Sequence, residues 1–86
     1  MKKETLANRV EEGIIDYIKK YNDGDLMTVD LNKITMCIIT NLNIDCCITI
    51  NIERLIGLIR NVGYSCKAKI EYNDMTKSTH IYLSVR

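Results

Sequence analysis

A run of strict alternation constrains this chain more than any other feature. From Tyr64 to Tyr72, the residues Tyr64, Cys66, Ala68, Ile70 and Tyr72 alternate with Ser65, Lys67, Lys69 and Glu71. Successive side chains of a strand point to opposite faces, so this spacing predicts a β-strand with one apolar and one polar face. Asn73 to Thr79 is polar and turn-like. Ile81, Leu83 and Val85 then alternate with His80, Tyr82, Ser84 and Arg86. Two matched runs around one turn predict an antiparallel hairpin, 64–72 against 80–86, with Cys66, Ile70, Leu83 and Val85 facing the core.

An isolated hairpin is marginal in water, so the rest of the chain must cover its apolar face. Ile52, Leu55, Ile56, Ile59 and Val62 recur at three- and four-residue steps, one face of a helix over Asn51–Val62. Asn51 suits the N-cap and Gly63 the C′ position, where a left-handed conformation costs glycine nothing. Gly57 interrupts this helix at about 1 kcal/mol relative to alanine, so either a neighbouring element packs close there, the reading slightly preferred, or the position is merely tolerated. A second stripe (Leu6, Val10, Ile14, Tyr17, Ile18 and Tyr21) predicts a helix over Thr5–Tyr21. Glu11, Glu12, Asp16, Lys19 and Lys20 lie off this stripe, and Met1 to Glu4 should fray. Asn22-Asp23-Gly24-Asp25 ends the helix, and Leu26–Val29 fits a short strand.

Residues 30–52 read two ways. Asp30 is a fair N-cap, and Leu31, Ile34, Ile38 and Leu42 suit a helix face. Yet Ile34–Thr40 is rich in β-branched residues, and Ile44, Cys46, Ile48, Ile50 and Ile52 alternate. One architecture is α+β, three helices with a C-terminal antiparallel β-hairpin, with residues 31–42 helical, 43–48 a turn and about 49–62 the third helix. The other is an α-ββ-α-ββ sheet with helices on one face, in which Lys33–Thr40 and Ile44–Ile50 pair. The first is preferred.

The 86 residues make one small domain, 1–86, whose core must draw on Ile, Leu, Val and Met because Phe and Trp are absent. Residues 1–50 hold six basic against eight acidic side chains, and 51–86 hold six against three. The helix-plus-hairpin half is therefore the basic half. The N-terminus lacks the apolar core of a secretory signal, and no apolar run reaches membrane-helix length, so the expected location is the cytoplasm, with no membrane partner. Cys37, Cys46, Cys47 and Cys66 then default to reduced thiols. Their spacing does not give the paired ligands a zinc site wants, and no cofactor motif is present. His80 has no Cys, Ser or acid at a telling spacing, so no enzyme is expected.

The stretch Thr49–Tyr72, TINIERLIGLIRNVGYSCKAKIEY, and the returning HIYLSVR of His80–Arg86 resemble a winged helix-turn-helix domain. The resemblance rests on an amphipathic helix ending at Ile59-Arg60-Asn61-Val62-Gly63-Tyr64, followed by a basic hairpin. It implies double-stranded DNA as partner and transcriptional regulation as role, with the 49–62 helix in the major groove and the hairpin as wing. On that resemblance Thr49, Asn51 and Arg54 would reach base edges, and Lys67, Lys69 and Lys77 would meet phosphate. Glu53 and Asp45 lie nearby and would repel phosphate. A homodimer is expected, through the Thr5–Tyr21 helix or Ile44–Ile52. The alternative is a protein-binding module. In composition the chain resembles small phage and archaeal-virus proteins, some of which inhibit host defence proteins. On this reading Tyr72 and Tyr82 make a hairpin interface.

Overall fold

The computed structural model describes residues 3–46 and 48–86. In chain order it holds α1 (Lys3–Tyr21), β1 (Met27–Asp30), α2 (Leu31–Asn41), α3 (Ile52–Asn61), β2 (Cys66–Asn73) and β3 (Ser78–Val85). The strands form one antiparallel sheet in the order β1-β3-β2. The fold is therefore α+β, three helices with a C-terminal hairpin. The α-ββ-α-ββ alternative is excluded, because the residues it needs as a strand are α2.

Local chemistry explains why α2 wins over its β-branched composition. The Asp30 carboxylate accepts from the backbone N–H of Asn32 (3.1 Å) and Lys33 (3.3 Å), satisfying two orphan donors of the first turn. At the other end Asn43 adopts φ 54°, the left-handed conformation asparagine tolerates. Asn43 N–H then reaches the Thr40 carbonyl and Ile44 N–H the Ile39 carbonyl, at 3.2 and 3.1 Å. This is a Schellman closure. Between the caps Leu31 and Ile34 are buried, and that burial, about 1.5–3 kcal/mol per side chain, outweighs the χ1 penalty.

α3 is built the same way. Asn51 caps it by accepting from Arg54 N–H at 3.1 Å. Gly63 at φ 108° ends it, with Gly63 N–H on Arg60 and Tyr64 N–H on Ile59. The helix begins at Ile52, so Thr49 and Ile50 precede it. Leu55 and Ile59 are fully buried, while Val62, at the C-cap, is exposed. A Cβ added at Gly57 would meet nothing within 4 Å, so that glycine is tolerated and accommodates no close neighbour. The close approach is at Gly13, where a Cβ would lie 3.0 Å from the Ile38 side chain. Here α1 and α2 pack against each other.

Val10, Ile14 and Ile18 of α1 meet Val29, Leu31, Ile34, Leu55, Ile59, Cys66, Leu83 and Val85 in one core. Three expectations for α1 need correction. Tyr17 and Tyr21 are exposed and pack on each other at 4.7 Å between ring centroids, outside the core. Glu11 is buried. Of the four residues expected to fray, Met1 and Lys2 lie outside the described residues, and Lys3 and Glu4 open the helix.

The hairpin register is Cys66 with Val85, Ala68 with Leu83, Ile70 with Ile81, and Tyr72 with Thr79. These residues share the helix-facing side. Lys67, Lys69, Glu71, His80, Tyr82 and Ser84 share the other. Cys66, Leu83 and Val85 are buried as expected, but Ile70 is 67% exposed, because β2 is an edge strand: α2 follows β3 as far as the Thr79 carbonyl, while β2 is uncovered from Ala68 onward. The turn is set by Asn73, whose side chain accepts from Met75 and Thr76 N–H, and by Lys77 at φ 53°.

Candidate nucleic-acid interface

The six residues singled out for nucleic acid fall into two groups. Thr49, Asn51 and Arg54 line a cleft of about 240 Å³ with Ala7, Asn8, Ile50 and Glu11. The cap places the Asn51 side chain on its own helix N-terminus. Arg54 reaches across to α1. Its Nε donates to the Glu11 carboxylate at 3.1 and 3.3 Å, and its Nη2 donates to Asn8 Oδ1 at 3.3 Å. One edge of the guanidinium therefore neutralises a buried acid, while the side chain stays 57% exposed. Its Nη1 amine has no hydrogen bond among the described residues and is the part that can meet an external acceptor. Glu11 stands three and seven residues before Ile14 and Ile18, on their face of the helix. That spacing is the sequence signal for its burial.

The second group lies on the hairpin. Lys67 and Lys69 stand exposed on the sheet face turned away from the helices, and Lys77 stands in the turn. Lys69 Nζ pairs with Glu71 at 2.9 Å, and this carboxylate holds the ammonium above the usual lysine range. The structure does not draw the two groups together. α3 begins at the cleft with α1 and ends at the root of β2, so the length of a helix separates them. Arg60 marks that far end, where its Nη2 donates to the Cys66 carbonyl at 2.9 Å. Burial pushes the Cys66 thiol above its ordinary value, with the nearby Arg60 charge opposing this weakly.

One constellation had no signal in the sequence. His80 Nε2 lies 3.1 Å from Ser78 Oγ, and His80 Nδ1 lies 3.6 Å from the Asp30 carboxylate. Pairing of β1 with β3 brings Asp30 there, from fifty positions away in the chain. The separation from Asp30 exceeds a hydrogen bond, and the other carboxylate oxygen is engaged in capping α2. His80 Nδ1 is buried and has no hydrogen-bond partner among the described residues. Among the described residues no group of three or more His, Cys, Asp or Glu side chains could hold a metal ion. Cys47, and with it the adjacent Cys46-Cys47 pair, lies outside them. Tyr72 and Tyr82, expected on one hairpin face, stand on opposite faces by the register. No helix among the described residues is long and apolar enough to cross a membrane.

No protein family, characterised protein or solved structure significantly matches the chain.

Proposed function

We propose that the chain is a small double-stranded-DNA-binding protein of winged-helix type, acting in the cytoplasm as a transcriptional regulator. One observation carries the reading. The element order α1-β1-α2-α3-β2-β3 and the strand order β1-β3-β2 are the arrangement a winged helix-turn-helix requires. In that arrangement α3 is the helix offered to the major groove and the β2–β3 hairpin is the wing. Asn51, Thr49 and the outer amine of Arg54 are candidates for base edges, and Lys67, Lys69 and Lys77 for phosphate.

Titration against mixed duplex DNA at two salt concentrations tests this. Each phosphate contact contributes roughly 0.9 to the slope of log K against log salt. Lys67→Ala with Lys69→Ala should lower the slope by up to about two units and weaken all sequences alike. Arg54→Ala should cost ~1–3 kcal/mol of discrimination between sequences, read beside a melting curve because the same residue neutralises Glu11. Absence of binding at low salt would overturn the proposal. A second reading, a module that binds and inhibits a host protein, draws support from the exposed Ile70, Tyr72 and Met75 of the hairpin end. One stoichiometric protein partner in a host lysate, with no DNA binding, would favour it.

A further inference from the structure

The sheet has two edges, and they differ. β1 is four residues long and β2 is eight. Ser65 and Arg86 exchange both backbone hydrogen bonds, at 3.0 Å each. Such pairs recur at every second position of an antiparallel ladder, so Lys67–Ser84, Lys69–Tyr82 and Glu71–His80 are the bonded pairs that follow. The backbone groups of Cys66, Ala68, Ile70 and Tyr72 consequently point to the outer edge. Arg60 takes the Cys66 carbonyl and closes one end of that edge. The outward N–H and C=O of Ala68, Ile70 and Tyr72 make no hydrogen bond with the described residues. An exposed edge of this kind is a template for another strand.

From this edge we propose that β2 is the contact strand of a two-fold dimer, in which two copies of the chain pair antiparallel, β2 to β2, centred on Ile70. The side chains select both the occupant and the register. Centring on Ile70 sets Lys69 of each copy opposite Glu71 of the other. It sets Ala68 opposite Tyr72, and Ile70 opposite itself. The outward backbone groups of Ala68, Ile70 and Tyr72 are all satisfied by their counterparts. The apolar faces join into one, covering side chains that are 67% exposed at Ile70 and 59% at Tyr72 in the single copy.

The neighbouring registers fail. Centring on Lys69 or on Glu71 opposes that charge to itself. Centring on Ala68 sets Lys67 against Lys69, and centring on Tyr72 runs into the turn and leaves both charges unmatched. Centring between residues would bring apolar side chains onto the charged face. The same Lys69 and Glu71 that pair within one strand at 2.9 Å thus become a four-charge cluster across the two-fold axis. This contact differs from the α1 and Ile44–Ile52 surfaces, and it stands independently of DNA binding.

Solution mass by light scattering or sedimentation over a concentration series tests it on the full chain. Lys69→Glu and Glu71→Lys should each weaken dimerisation by at least ~tenfold, because each sets like charges opposite at both symmetry-related positions. An equimolar mixture of the two variants should restore the dimer, as a heterodimer with unlike charges opposite. Ile70→Pro should give a folded monomer, since the Ile70 N–H points away from β3 and proline is tolerated at such an edge position. A monomeric wild type at the highest concentration it tolerates would overturn the proposal. So would a dimer unchanged by all three substitutions, or single variants that fail to recover on mixing.

Discussion

The two ends of the hairpin carry the same alternating pattern and live in different surroundings. At the root, Cys66 and Val85 are opposite each other, beneath the helices and shut off from water. Toward the tip, Ile70 and Ile81 are also opposite each other on the same face, yet Ile70 is mostly exposed. Alternation reports which face a side chain takes. It does not report how far the opposing layer extends, because that depends on helices written elsewhere in the chain. The root is consequently a stability element, and the tip is a surface with apolar character left over.

The largest expected effect comes from the root. Leu83→Ala removes a fully buried side chain and should cost ~2–5 kcal/mol in denaturant unfolding. A cost below about 1 kcal/mol would show that root and tip do not differ as described. The Cys66 thiol gives an intermediate effect with a defined pH window. Its value is raised in the folded state, so folding disfavours the thiolate. The contribution to stability is intact below the ordinary thiol value of 9.0 and is lost as pH rises from there through the raised value. Thermal melts on either side of that window should show the loss, and Cys66→Ala should remove the thiol's share of it. The smallest effect is at the tip. Ile70→Ala should change the stability of dilute protein by about 0.5 kcal/mol or less. A cost that grows with protein concentration would show the tip being covered by a second copy.

Much of this arrangement is legible in the residues. Helices α1 and α3, the hairpin, the Asn51 cap and the Gly63 stop all follow from local chemistry, which acts within a few positions. Residues 31–50 are where local signals conflict. β-branched side chains favour a strand, while Asp30 and Asn43 favour a helix between them. The caps and the burial of Leu31 and Ile34 decide it. Alternation over Ile44–Ile52 misleads because Ile44, Ile48 and Ile50 are half-buried from an irregular segment and Ile52 from the first position of α3. Side-chain partnerships across the fold were not legible. Arg54 looks like a free cation until α1 is placed beside it with Glu11, and Asp30 meets His80 only through β1–β3 pairing. For Lys67 and Lys69 the sequence places charge on the wet face, and for Lys77 in the turn. Glu71 beside Lys69 sets how much of that charge is available.

The central position of β3 has a consequence for how the protein is made. Among the described elements both other strands pair only with β3, yet β3 is the last of them in the chain. When α1, β1, α2 and α3 have been made, Leu83 and Val85 are still missing from the core they share. Met27 waits for Val85, a partner added 58 residues later. Contacts of such sequence separation must wait for loop closure, which makes them slow and late. The nascent chain therefore passes through a stage with exposed isoleucines, when chaperones and proteases compete for it. A message truncated before Ser78 would yield helices with no sheet to cover them.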